Sequence, residues 1–394
     1  MDNQKLAFHA LLITPVHNSQ LKGNDLWTGL QTPSSKKKRF GRGCKPRPAK
    51  KTFRTGLQTP SSKLVHNSQF TIKKVPISEF DLISRYFQNG FPSCPEVILG
   101  IGDDAALCSI PKGMQLAIAI DTLVEGVHFP VITCPYDVGY KALAVNLSDL
   151  AAMGATPAWM TLALTIPQTD DAWLAPFSQG LLELAKVAQV SLIGGDTTCG
   201  SLTITIQVAG FVPINSALQR RGANPGDGIY VTGTIGDAGL GLACVQKRIK
   251  LHNEVQQFVE SRLNRPSPRW REGKALRSIA SSAIDISDGL VADLGHILNA
   301  SAVGASIQLG SLPLSRALRE HLSFEAAWNL ALSAGDDYEL CFTVPKNQEA
   351  ALQEALKSYS YTRIGIVEKI PGLRCLDTSG QLFTPQQTGY QHFN

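Results

Sequence analysis

The chain has 394 residues, 43% hydrophobic and 18% charged, a globular composition long enough for two packed domains. Its net charge of +5 hides a division: residues 1–76 carry 15 Lys/Arg and 2 Asp/Glu, a net +13, and the remainder carries 22 and 30, a net −8. No apolar run approaches the roughly 20 residues of a membrane span, and residues 6–13 are a short, weak imitation of a secretory signal, so neither a membrane-spanning helix nor secretion is expected.

Residues 1–76 contain two exact duplications, TGLQTPSSK at 28–36 and 55–63 and VHNSQ at 16–20 and 65–69. The basic run KKKRFGRGCKPRPAKKTFR lies between the first pair. Two copies without an apolar face do not build a solenoid. So basic and Gly/Pro-rich a segment cannot bury enough surface to offset its ordering entropy, and a disordered arm is expected. One reading of it is attachment to nucleic acid through charge. The preferred reading is that the arm lies outside the working protein, which would then start near Val75.

From 78 onward the pattern is that of a folded body. Ser78 with Phe80, Ile83 and Phe87 spells a capped helix over 78–87. The turn LGIGDDAAL follows, and Gly100-x-Gly102-x-x-Ala105 has the shape of a dinucleotide fingerprint. Yet Asp103 and Asp104 would put two negative charges where a pyrophosphate needs bare N–H groups. A buried strand is expected at 115–124 and a helix at 137–153, ended by Gly154. Next come a strand at 159–166, an amphipathic helix at 172–190 stopped by Gly194-Gly195, and a β-branched strand at 202–212.

The polar, turn-rich stretch around 215–228 divides the body into a first lobe, 77–215, and a second, 216–394. The second opens with a strand at 229–232. Helices near 237–248, 254–263, 268–281 and 289–301 follow, then strands at 305–309, 338–344 and 361–367. Mixed elements in both halves define a two-lobed α/β (α+β) class. The eight cysteines form no CxxC pair and read as reduced thiols packed like small hydrophobes, as in a cytoplasmic protein. Trp159 and Trp173 read as core.

Aspartates recur in similar settings. Asp103-Asp104 follows Gly102, Asp121 interrupts the apolar AIAIDTLV, and Asp149 sits in the apolar AVNLSDLAAMGA. Asp196 follows Gly194-Gly195, Asp285 and Asp288 lie in AIDISDGL, and Asp336-Asp337 lie in SAGDDYEL. Any one of them is ordinary turn or cap chemistry. Acids among apolar neighbours are costly to bury unpaired, however, and Lys141 is the sole base between Lys112 and Lys186. Converging acids with oxygen-only donors point to Mg²⁺, and Mg²⁺ beside glycine turns points to a bound nucleotide. No GxxxxGK[ST] is present, so the site is not a Walker type.

From about residue 78 to 394 the chain resembles bacterial thiamine-monophosphate kinase, of the aminoimidazole-ribonucleotide synthetase and selenophosphate synthetase superfamily. The stretches that carry the resemblance are SEFDLISRYF, GIGDDAAL, DTLVEGVHF, YKALAVNLSDLAAMGATPAW, IGGDTT, GANPGDGIYVTGTIGDAGLGL, RPSPR, AIDISDGLVADLGHI, DYELCFTVP and GYQHF. The resemblance implies ATP-dependent conversion of thiamine phosphate to thiamine diphosphate. It implies several Mg²⁺ ions on Asp104, Asp121, Asp149, Asp196, Asp285 and Asp288. ATP would contact Gly195, Asp196, Arg220 and Ser287, and the acceptor would contact His128, Asp336 and Tyr390. It also implies a cytoplasmic homodimer whose first-lobe sheets pair, with no general acid or base and no nucleic-acid partner. Two positions depart from the family: Ala119-Ile120 replaces Ser-Thr before Asp121, and Asp336 replaces Glu. A selenophosphate synthetase-like enzyme is the alternative, since GRGCK at 41–45 imitates that family's Gly-x-Gly-Cys-Lys stretch; a nucleic-acid-binding protein using the arm is a second.

Overall fold

A computed structural model describes residues 78–392, so the expectations for the arm lie outside the described residues. The first part of the body runs α1 (Glu79–Tyr86), β1 (Val97–Leu99), β2 (Leu107–Cys108), β3 (Met114–Val124), α2 (Pro135–Ala152), β4 (Thr156–Ile166), α3 (Asp171–Ala188), β5 (Ser191–Cys199) and β6 (Thr203–Pro213). The second runs β7 (Gly228–Thr232), α4 (Asp237–Val245), α5 (Asn253–Asn264), α6 (Trp270–Ala275), β8 (Ser282–Asp285), α7 (Leu290–Ser301) and β9 (Gly304–Gln308). It continues with α8 (Arg316–His321), α9 (Phe324–Ser333), β10 (Leu340–Val344), α10 (Glu349–Ala355), β11 (Tyr361–Glu368), β12 (Gly372–Leu376) and β13 (Leu382–Phe383). This is the mixed α/β class expected.

A four-stranded sheet in the order β3-β6-β4-β5 carries α2 and α3, with β4 and β5 parallel and the other pairs antiparallel. Most of α2 is buried, including Leu143, Leu147 and Leu150, each worth about 1.5–3 kcal/mol. Gly139 of α2 and Gly180 of α3 let the two helices touch backbone to backbone: a Cβ on Gly180 would fall on the Tyr136 carbonyl, and one on Gly139 on that of Phe177. Gly154, at φ +64, ends α2 as expected, and the Ala155 N–H reaches back to the Leu150 carbonyl.

The second sheet has seven strands in the order β13-β12-β9-β11-β7-β10-β8, antiparallel except for β9 with β12. The two parts share apolar contacts. Ala151 and Ala152 of α2 pack with Leu276 and Phe342, and Tyr338 packs into the first part's core with Leu143 and Leu164.

Several expectations need correction. The helix at 172–190 is stopped by Gln189, left-handed at φ +57, and Gly194-Gly195 instead lie inside β5, where parallel pairing with β4 overrides their low strand propensity. The strand at 115–124 is only half buried: Ala117, Ala119 and Leu123 face the core, but β3 is a sheet edge whose other face leaves Ile118 58% and Ile120 59% exposed. The helix at 268–281 is confined to α6, and β8 follows. The strand expected from 338 begins at Leu340, because Asp336 and Tyr338 are left-handed at φ +61 and +50. Of the described cysteines, Cys108, Cys134 and Cys199 are exposed, and Cys244, Cys341 and Cys375 are packed inside; all are free thiols. Trp159 is buried, and Trp173 packs against the core with its ring stacked on Phe177.

Candidate active site

Acids from both parts meet between the sheets. Asp121 stands on β3, and its N–H donates to Asn146 Oδ1 of α2 at 3.1 Å. Asp149 lies one turn beyond Asn146. Its neighbour Ser148 donates to Asp285 Oδ2 at 2.7 Å, which ties α2 to the end of β8. Asp288 lies in the loop after β8. Asp293 of α7 shapes that loop by accepting the N–H groups of Ser287, Asp288 and Gly289 at 3.0–3.1 Å.

Burial, the largest cause, pushes all four carboxyls up; repulsion among them adds to it at Asp121, Asp149 and Asp285, and the charge of Asp336 adds to it at Asp288. Asp149 rises to about 8, through burial and then the charges of Asp285 and Asp121. Burial also lifts Asp293, to about 7, with Asp285 beside it. Arg220 opposes the rise at Asp149, Asp285 and Asp288, whereas Arg221 turns away to donate to Gln219 Oε1 at 2.7 Å.

A second group adjoins these acids. Lys141 Nζ lies 3.0 Å from Asp336 Oδ1 and 3.3 Å from the His128 carbonyl oxygen. His128 Nδ1 accepts the Val124 N–H at 3.0 Å, so that nitrogen carries no proton; burial pulls this imidazole below its ordinary range, and the charge of His392 adds to the effect. The rings of His128 and His392 are 5.1 Å apart. The C-terminal stretch is held over the loop after β8 by the Tyr390 N–H, which donates to the Asp288 carbonyl at 3.0 Å. Tyr338 donates to Asp336 Oδ1 at 3.1 Å.

Asp104, Gly195 and Asp196 do not touch this cluster. They line a groove of about 930 Å³ between α1 and the start of β5, together with Asp103, Gly102 and Gly194. A Cβ on Gly195 would strike the Leu162 carbonyl of β4, so the strand pairing itself requires glycine there. Among the described residues no three His, Cys, Asp or Glu side chains stand close enough to grip one ion as they are. The donor set still suits a hard cation: every candidate is a carboxylate, four of them are costly to ionise where they stand, and the positive groups that oppose this are Arg220 and, at Asp288, His392 and His296.

Sequence reasoning did not single out Asn146, Ser148, Asp293 or Tyr338. Polar residues in the apolar run AVNLSDL were the available signal for the first two. For Asp293 no local signal distinguishes a loop-shaping acid from a solvated one.

A four-stranded and a seven-stranded mixed sheet, each with its own helices, place the chain in the class built like aminoimidazole-ribonucleotide synthetase. Residues 102–212 match the family described as AIR synthase related protein, N-terminal domain, and residues 224–376 match its C-terminal domain. The thiamine-monophosphate kinase of Escherichia coli (strain K12) is 52% identical over 319 residues, 80% of this chain and 98% of that one. Among solved structures, the thiamine-monophosphate kinase of Stenotrophomonas maltophilia K279a matches with a TM-score of 0.69 and 44% identity, over 73% of this chain and 93% of that one. An AaThiL structure complexed with AMPPCP and TMP matches with a TM-score of 0.64 and 29% identity, over 72% and 89%. The chain belongs to the thiamine-monophosphate kinase family.

Proposed function

We propose that this protein transfers the γ-phosphoryl group of ATP to thiamine phosphate, giving thiamine diphosphate and ADP. The observation that carries the reading is the likeness to the E. coli kinase, 98% of which this chain covers, in a chain where Asp121, Asp149, Asp285 and Asp288 lie close enough to feel one another's charge. A phosphate oxygen of the acceptor forms the new bond to the γ-phosphorus as the bond to the β-bridging oxygen breaks in line. The acceptor oxygen is already ionised, so no general base is assigned.

In this reading residues 77–215 form the lobe that binds ATP and metal, and residues 216–394 form its partner lobe. Gly195, Asp196, Arg220 and Ser287 hold ATP, and His128, Asp336 and Tyr390 hold the acceptor. Asp104, Asp121, Asp149, Asp196, Asp285 and Asp288 would hold Mg²⁺, which when bound neutralises the phosphate oxygens of donor and acceptor. Loop groups such as Arg220 orient the donor. The enzyme is read as a cytoplasmic homodimer, and the exposed apolar edge of β3, with Ile118 and Ile120, supports pairing with a second copy.

The test is chromatographic detection of thiamine diphosphate from thiamine phosphate, ATP and magnesium, with a chelator arm and a selenide arm. Product that disappears with chelator is expected. Turnover with selenide alone, or turnover indifferent to chelator, overturns the reading.

A further inference from the structure

Lys141 is a buried cation to which the proposed chemistry gives no task. Its side chain is 2% exposed, on a helix buried along most of its length, and an ammonium persists there only with partners. Its principal partner comes from the other sheet's side of the cleft: Asp336 Oδ1, 3.0 Å away. The Tyr338 hydroxyl reaches the same oxygen at 3.1 Å. The backbone there is committed to this arrangement. Gly335, Asp336 and Tyr338 all have positive φ, and the Asp336 and Tyr338 N–H groups donate to the Ser287 and Ile286 carbonyls at 2.8 Å. Asp337 points the other way and accepts the Gly236 N–H. Asp336 is still 31% exposed, and no described residue donates to its Oδ2.

We infer that Lys141 is a positioning residue: with Tyr338 it clamps Oδ1 of Asp336 and leaves Oδ2 of this partly exposed carboxylate, whose charge reaches His128 and Tyr390, as an acceptor for an N–H of the bound substrate. The inference rests on the reading of this cleft as the thiamine phosphate site. A carboxylate oxygen can only accept, so the group it selects is a donor, such as the exocyclic amine of a pyrimidine, and not another anion. Lys141 acts through Asp336 and touches no substrate itself.

The test is a double-mutant cycle on the whole protein, with affinity for thiamine phosphate measured by calorimetry and KM and kcat measured separately for both substrates. Lys141→Met is expected to weaken thiamine phosphate about tenfold, the scale of one charged hydrogen bond, with KM for ATP within about twofold. Tyr338→Phe is expected to weaken it less, about threefold. Asp336→Asn alone and Asp336→Asn with Lys141→Met should bind alike within about twofold, because the lysine has nothing left to position. If Lys141→Met does not fold, Tyr338→Phe, which keeps the ion pair, carries the test: unchanged affinity for thiamine phosphate then overturns the inference. Additive losses, or equal losses for ATP and thiamine phosphate, overturn the inference while wild-type turnover leaves the functional reading standing. A wild-type protein that neither binds nor phosphorylates thiamine phosphate overturns both.

Discussion

At the scale of single residues, the acids were visible in the sequence and their partners were not. An aspartate in AIAIDTLV stands out because burying it alone is costly, whatever the fold. Ser148 carries no such mark, and the Asp285 it meets is 137 positions away. Lys141 was conspicuous as a base in an acid-bearing stretch, but its pairing depends on a loop from the opposite part of the body. Asp288→Asn keeps shape and removes charge, so turnover should fall by about two to three orders of magnitude with Tm unchanged or raised, measured by product assay and thermal melt. Asp337 offers a test by pH. One of its oxygens accepts the Gly236 N–H, the other has no partner, and burial pushes the carboxyl well above its ordinary range although Arg262 pulls it down. The folded state then holds a proton that the unfolded chain releases near its ordinary 3.8. The contribution of Asp337 to stability is therefore fully present below that pH and is lost as pH rises toward the shifted value, by at most about 1.4 kcal/mol per pH unit. Asp337→Asn should flatten this slope in denaturant titrations across about pH 5 to 8; an unchanged slope would assign the proton elsewhere.

At the scale of elements, periodicity located the long helices and apolar strands and failed where pairing or ionic contacts decide. Strand β5 contains Gly194-Gly195 and reads as a break, yet it forms because β4 lies alongside it in parallel register. Helix α6 stops at Ala275 before the chain joins the sheet edge as β8. The loop ahead of β10 is anchored by Glu339, fully buried, which takes Arg269 Nε and Nη2 at 2.6 Å each, Arg262 Nη2 at 2.8 Å and the Thr232 hydroxyl at 2.7 Å. RPSPR thus supplies a clamp rather than a helix. Glu339→Gln leaves two guanidinium groups short of their countercharge in the interior and should cost about 3–5 kcal/mol in chemical denaturation. The helix contact at Gly139 and Gly180 tolerates no side chain. Gly180→Val should lower stability by about 3 kcal/mol or more by the same measurement, and a neutral result would show that α2 and α3 can separate at little cost.

At the scale of the whole molecule, composition and element order were enough for a mixed α/β class, and the structure divided its strands mainly into a four-stranded and a seven-stranded sheet. The aspartates divided between two places: Asp121, Asp149, Asp285 and Asp288 between the sheets, and Asp104 with Asp196 on the groove beside α1. The expectation of a buried β3 failed for a reason that belongs to this scale. An apolar strand shows that one face seeks cover without showing whether the cover comes from the same chain. Ile118→Lys with Ile120→Lys should convert the proposed dimer to a monomer in analytical ultracentrifugation, with the melting transition of each protomer retained. A wild-type protein that sediments as a monomer would remove the basis for that proposal.

The sequence alone determined the mixed α/β class, most of the longer helices and strands and the set of acids, because those follow from local periodicity and from the cost of charge among apolar neighbours. Tertiary structure alone decided which acids meet, which arginine faces them and which lysine holds Asp336. Those outcomes depend on hydrogen bonds between positions far apart in the chain, as between Ser148 and Asp285, and no local pattern encodes such a distance.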